Sequence, residues 1–227
     1  MRNLLLLLIV AAVTFTACTA TKDSTGQKIR KVELQTDMGT MVLKLYNETP
    51  LHRDNFIKLV QQHFYDSLMF HRVIDSFMIQ GGDPNSKNAA AGIGLGEGSA
   101  PGDRIPAEFN TNIIHKKGAL AAARDNNAQK ASSNCQFYIV QGKTFVDTAL
   151  NGVECRRVRP NNPAFAYTEK QRKVYRTLGG TPHLDQNYTV FGEVIKGLDV
   201  IDKIAKVQRD TRNRPVKDVR MKMRMLN

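Results

Sequence analysis

Arg72, Phe77, Met78 and Gln80 lie within the stretch Phe70-His71-Arg72-Val73-Ile74-Asp75-Ser76-Phe77-Met78-Ile79-Gln80-Gly81-Gly82-Asp83. The alternation in this stretch lets the four side chains line one concave surface, and Gly81-Gly82 permits a sharp exit. The set combines a permanent cation, an amide that donates and accepts, and two large apolar groups. It contains no strong nucleophile. It therefore suits a reaction that makes and breaks no covalent bond, gripping an apolar ring and directing hydrogen bonds around a peptide linkage. The same spacing also fits an ordinary amphipathic strand with one surface arginine, and spacing alone does not separate the two.

The surrounding sequence predicts the elements that must position these residues. Alternation at 31–33 and 40–45 around Asp37-Met38-Gly39 predicts a β-hairpin. Phe56, Leu59 and Val60 have helical spacing, which predicts a helix over 54–63 after a turn at Thr49-Pro50, with Asp54 as a cap or first-turn acid. Residues 67–80 read as strand, and the Gly-, Ala-, Asn- and Ser-rich 83–103 as a long surface loop. Short strands are predicted at 118–123, 135–140 and 190–194, and a second helix at 198–205. Val219, Met221, Met223 and Met225 alternate with basic residues and predict a closing strand over 216–225. Many short strands with few helices argue for a closed antiparallel β structure, since closure removes exposed edges.

Bulk composition is that of a globular domain: 227 residues, 41% hydrophobic and 24% charged. The net charge of +12 raises the question of nucleic acid. The basic residues are scattered, densest at 156–159, 170–176 and 209–224, with no zinc-finger spacing or RNA-binding aromatic motif. They read as solvated faces, and no nucleic acid partner is expected. The five histidines show no metal-ligand spacing, so neither metal nor cofactor is expected.

Residues 70–83 resemble the signature of the cyclophilin-type peptidyl-prolyl isomerases. Three further segments resemble that family in order and approximate spacing: Gly118-Ala119-Leu120-Ala121-Ala122-Ala123-Arg124, Ser133-Asn134-Cys135-Gln136-Phe137-Tyr138-Ile139, and His183-Leu184-Asp185-Gln186-Asn187-Tyr188-Thr189-Val190-Phe191-Gly192-Glu193-Val194. The resemblance runs from about residue 32 to the C-terminus, interrupted by an insertion near 145–180. It implies a mainly β fold: a closed eight-stranded antiparallel barrel capped by two α-helices, with the groove on the outside of the wall. It also implies catalysis of X–Pro rotation centred on Arg72, Phe77 and Gln80. Phe77, Met78 and Leu184 would form the proline socket, Gln80 and Gln136 would hold the substrate backbone, and Ala123 and Arg124 would edge the groove. Four positions depart from the family, the first being Arg124, where Asn is often found. Tyr138 stands where Phe is usual, His183 where many eukaryotic members carry Trp, and Tyr188 where many carry His. Loss of the indole argues against tight cyclosporin binding.

Within the insertion, 156–163 reads as loop. One short helix is expected over 167–178, with Thr168 and Glu169 at its start and Gly179-Gly180 closing it. The insertion either extends the binding surface or is a stabilising appendage.

Residues 1–17 have the character of an export signal, with Arg2 before an apolar run too short to span a bilayer. Phe15-Thr16-Ala17-Cys18 resembles a bacterial lipobox, which implies cleavage before Cys18 and lipidation of that residue. Residues 18–28 read as a flexible tether and 29–227 as the isomerase domain. The expected setting is the cell envelope, with the domain a monomer on the membrane acting on Pro-containing segments of exported proteins. In an oxidising compartment Cys135 and Cys155 could pair, although a buried inert thiol suits Cys135 better. The alternative function is a non-catalytic module or chaperone that binds Pro-containing peptides.

Overall fold

The computed structural model describes residues 26–226; the predicted signal segment and Cys18 lie outside them. The predicted hairpin forms from β1 (Arg30–Thr36) and β2 (Gly39–Leu45). The run over 67–80 divides into β3 (Phe70–Ile74) and β4 (Met78–Gly81), because Ser76 takes a left-handed φ of 61° and turns the chain. β5 (Ala119–Ala122), β6 (Phe137–Val140), β7 (Val190–Lys196) and β8 (Met221–Leu226) complete one antiparallel sheet. Its order is β3-β4-β6-β5-β7-β2-β1-β8.

The expected eight antiparallel strands are therefore present, but β3 and β8 end the sheet and do not pair along their length. Short segments beside them exchange backbone bonds instead. Ser67 N donates to Met221 O (2.9 Å), Met221 N to Leu68 O (2.8 Å) and Phe70 N to Val219 O (3.0 Å). The sheet is thus curled and tied at its ends rather than continuously closed. The last strand begins five residues later than alternation suggested, because Val216 N bonds Gln208 O in a preceding loop.

Strand alternation sorts side chains to two faces. The inner face builds the main core, which includes Val32, Leu34, Leu43, Phe70, Ile79, Leu120, Phe137 and Ile139. Phe137 meets Phe56, Tyr65 and Phe70 edge-on at ring distances of 5.8, 5.6 and 6.2 Å. The opposite face gathers a second cluster around Met78, Ala121, Tyr138, Val140 and Val190.

Two helices seal the main core with Phe56, Leu59 and Val60 of α1 (Pro50–Gln61) and Val200, Ile201 and Ile204 of α4 (Leu198–Ala205). α4 spans its predicted residues. α1 starts four residues before the expected Asp54, with Pro50 in its first turn, where a missing N–H costs nothing. Asp54 does not cap it and instead pairs with Arg53 (2.7 Å). A distant carboxylate takes the capping role: Leu51 N and His52 N each donate to Glu108 at 3.0 Å.

The insertion holds two helices rather than the one expected. α2 (Asp147–Val153) continues as a π-helical turn over Glu154–Val158, which runs into the 156–163 stretch expected to be loop, and stops before Pro160. The reason is packing: Val158 and Leu150 are fully buried with Phe165, Tyr167 and Tyr175 in a local core. Buried Glu154 is matched by Arg159 (2.7 Å) and Arg172 (2.8 Å). The expected helix is α3 (Glu169–Thr177), opened by a capping box between Thr168 and Gln171. Cys135 is buried and Cys155 exposed, and both are free thiols.

Candidate active site

Register places the site on the outer face. Arg72 lies directly opposite Gln80 across β3 and β4, and Gln80 opposite Tyr138 across β4 and β6. Directly opposed residues project to the same face, so the three side chains form a row. Phe77 is fixed at the turn before β4. Its carbonyl accepts from Gln141 N and Gly142 N at 3.0 Å each, and the Gln141 side chain takes Ser76 N at 2.6 Å.

A recess of about 100 Å³ opens over this row. Arg72, Phe77, Met78, Gln80, Ala123, Arg124, Tyr138, Leu184 and Tyr188 line it. His183 stands beside it, its ring stacked on Phe77 at 5.5 Å. Gln136 lies one step away, lining a neighbouring groove of about 720 Å³ with Gly96, Gly98 and Arg124. The catalytic and substrate-binding residues expected from the sequence therefore lie in or next to these two adjoining recesses, which share Gln80, Ala123 and Arg124.

The polar side of the recess is held by a directional relay. Arg72 donates to Gln80 Oε1 (3.1 Å), and Gln80 Nε2 donates to Gln136 Oε1 (3.3 Å). Gln136 Nε2 donates to the carbonyls of Gly96 (2.7 Å) and Gly98 (2.8 Å). Arginine can only donate, so it fixes the orientation of both amides. Gln136 consequently has its donor engaged by the protein. It braces Gln80 and the 96–98 loop, where the sequence suggested a direct grip on substrate. The loop is braced again by buried Asp83, which accepts from Gly96 N (2.5 Å) and Asn85 N (2.8 Å). Sequence reasoning took 83–103 for an ordinary surface loop and missed this return to the site; the glycines at 94, 96 and 98 were its only signal. Gly82 has a φ of 94°, and a Cβ there would meet Cys135 O at 2.2 Å, so the sharp exit after β4 requires glycine.

Only Nη1 of Arg72 has an acceptor among the described residues, and its other N–H groups are left to the recess. The residue is about half-buried. Burial pushes its guanidinium below the ordinary value, with Tyr188 opposing. A guanidinium still keeps its charge throughout the physiological range. Arg124 is a tethered wall: it donates to Asn187 O (3.2 Å) and Asn187 Oδ1 (2.9 Å) and lies 4.5 Å over the Tyr188 ring.

The family described as "Cyclophilin type peptidyl-prolyl cis-trans isomerase/CLD" matches residues 31–224. The chain belongs to this cyclophilin-type isomerase family. A Staphylococcus haemolyticus protein named "Putative peptidyl-prolyl cis-trans isomerase" is 34% identical over 83% of this chain and 87% of its own length. A Staphylococcus aureus protein of the same name is 36% identical over the same shares. A Streptococcus pyogenes protein named "Putative bifunctional phosphatase/peptidyl-prolyl cis-trans isomerase" is 36% identical, but the match spans only 37% of its length. The crystal structure of a Cryptosporidium parvum cyclophilin type peptidyl-prolyl cis-trans isomerase covers 88% of this chain and 98% of its own, with a TM-score of 0.64 and 19% identity. That last likeness concerns the fold. Membership makes this cyclophilin-type chain a peptidyl-prolyl cis-trans isomerase by enzyme class.

His71, beside Arg72, is a buried group that sequence reading passed over. It is 4% exposed, and neither ring nitrogen has a hydrogen-bond partner among the described residues. Burial pushes its pKa down to about 4; Asp83 opposes this, while Arg72 and Arg214 reinforce it. The unfolded chain binds a proton near the ordinary 6.5 that the folded chain refuses until about pH 4. The contribution to stability is complete above pH 6.5 and is lost as pH falls through that window. The loss expected from this residue is about 3 kcal/mol by pH 4. Urea unfolding at stepped pH should show it, and His71→Gln should flatten the slope. An identical slope in that variant would clear His71 of responsibility.

Proposed function

We propose that the recess accelerates X–Pro rotation without covalent chemistry, with Arg72 as the electrostatic centre. Rotation about a peptide bond has a barrier of about 18–20 kcal/mol because resonance gives the C–N bond double-bond character. The two X–Pro isomers differ little in energy, yet they exchange over tens to hundreds of seconds. A catalyst must favour the half-rotated amide over both planar forms. In that state conjugation is broken and the prolyl nitrogen carries a localised lone pair. Phe77, Met78, Leu184 and the Tyr138 ring receive the proline ring. Arg72 presents N–H donors to the pyramidal nitrogen, and Gln80 holds the adjacent backbone. The relay through Gln136 fixes the guanidinium in advance, so little reorganisation is needed during rotation.

The observation that carries this reading is a half-buried guanidinium with uncommitted donors at the edge of an apolar recess. Protease-coupled cleavage of a prolyl test peptide examines it directly. Faster cis-to-trans exchange with the domain is expected. Equal rates with and without it would leave a proline-peptide binding module.

The proposed clients are Pro-containing segments of exported proteins, met at the cell envelope by a domain tethered through lipidated Cys18. The support is the signal-like segment 1–17 and the lipobox-like residues before Cys18. Mass spectrometry of protein purified from its native membrane should find a chain beginning at an acylated Cys18. An unmodified cysteine in the native protein would dismiss the anchor.

A further inference from the structure

The 145–180 insertion ends against the back of the prolyl recess. Tyr175, on α3, donates to Asp185 Oδ2 (2.5 Å), and Tyr167, just before α3, donates to the same oxygen (2.6 Å). The other carboxylate oxygen accepts from His115 N (2.8 Å) and His115 Nδ1 (2.7 Å). The Nδ1 contact fixes the imidazole between the Asp185 carboxylate and the Tyr138 ring. Nε2 faces the Tyr138 hydroxyl at 3.0 Å, and the two rings stack at 6.1 Å with 12° between planes. All five residues are buried, and Asp185 is fully so. The opposite surface of Tyr138 is the wall of the recess.

We propose that the insertion is a positioning element for the prolyl recess, acting through the hydroxyls of Tyr167 and Tyr175, Asp185 and His115 on the hydroxyl of Tyr138. This rests on the isomerase reading of that recess. The hydroxyl at 138 is the connecting feature: a phenylalanine there would pack in the same place but end the relay at His115. Each link is short, directional and shielded from water, so displacement at one end is passed on rather than absorbed by solvent. Burial pushes the phenols of Tyr138, Tyr167 and Tyr175 well above their ordinary range, helped by Asp185 at Tyr167 and Tyr175 and by Tyr188 and then Asp185 at Tyr138, so all three keep their protons. The backbone adds a second tie from the insertion to this core. Gly180 N donates to Lys143 O and Thr181 N to His115 O, where the chain leaves the insertion beside the histidine.

A double-mutant cycle between Tyr175→Phe and Tyr138→Phe tests the proposal, since only coupled residues depart from additivity. The readouts are KM and kcat for a prolyl test peptide and the Kd of a proline-containing peptide. Alone, Tyr175→Phe is expected to raise KM and Kd roughly three- to tenfold, with kcat changed less than about twofold, in line with the usual size of such couplings. In the Tyr138→Phe background the same substitution should change both by less than about twofold. Arg172→Ala is the control: it cuts the bonds to Glu154 and Asn151 inside the insertion but no link of the relay. It should lower the Tm and leave KM in place. Additive effects in the cycle, or an equal rise in KM with Arg172→Ala, would overturn the proposal. If Tyr175→Phe fails to fold, Tyr167→Phe removes the other donor to the same oxygen and carries the same cycle. A wild-type domain without turnover would refute the isomerase reading instead, and the Kd cycle would still decide the coupling.

Discussion

Arg72→Ala is expected to lower kcat/KM for a prolyl test peptide by about 10²–10³-fold, the usual cost of removing one preorganised donor from a developing charge. The guanidinium stabilises the half-rotated amide more than either planar one, so its loss should fall mainly on turnover. Peptide affinity should weaken far less, because the apolar wall of Phe77, Met78, Leu184 and Tyr138 is left standing. Stability should barely change, since the side chain is half-exposed and, among the described residues, makes a single hydrogen bond, to Gln80. Arg72→Lys is the informative companion. It restores charge but not the planar fan of donors that keeps one N–H on Gln80 and others over the recess. Turnover between wild type and alanine is expected. Calorimetry alongside the coupled assay reads both quantities, and an alanine variant within twofold of wild type would remove Arg72 from the centre of the mechanism.

Asp185→Ala is expected to destabilise the fold by about 3–5 kcal/mol, the usual penalty for removing one side of a buried charged network. The carboxylate is fully buried and accepts four hydrogen bonds, from His115 N, His115 Nδ1, Tyr167 and Tyr175. Alanine would take this acceptor from all four donors, away from water; Tyr167 keeps the Pro182 carbonyl (3.2 Å), and each donor left an orphan ordinarily costs about 1–3 kcal/mol before relaxation. For a domain of this size the Tm should drop by roughly 6–20 °C. Asp185→Asn should be milder, because an amide oxygen still accepts, although its NH2 then faces the two groups that had donated to the replaced oxygen. Thermal unfolding followed by circular dichroism reads the result. A shift of only a degree or two would mean that the surrounding segments close over the lost group at little cost.

The two variants separate what was legible in the sequence from what was not. Arg72, Phe77, Met78 and Gln80 belong to one local hairpin. Strand periodicity fixes their faces, so spacing joined to family resemblance was enough to expect them side by side, as they are in the recess. The hairpin of β1 and β2, the start of α3 at Thr168 and the whole of α4 were readable for the same reason: turn chemistry, caps and apolar periods are local signals. Where expectation failed, a distant group had intervened. The start of α1 is set by Glu108, over fifty residues away. The π-helical turn at 154–158 packs Val158 against Phe165, Tyr167 and Tyr175, and Arg172, eighteen positions on, matches its buried Glu154. A sheet was foreseen, but strand periodicity carries no information about how far its two ends will pair.

The amino-acid order alone settled the chemistry on offer: a fixed cation, amides and an oily socket, arrayed by the two-residue repeat of extended chain. Only the three-dimensional packing decided how that chemistry is held. Gln136 braces rather than grips, the 96–98 loop returns to receive it, and Asp185 gathers the insertion's tyrosines behind Tyr138. These contacts join residues from 10 to 70 positions apart. Their energy comes from keeping polar groups satisfied away from water, and that requirement leaves no periodic trace along the chain.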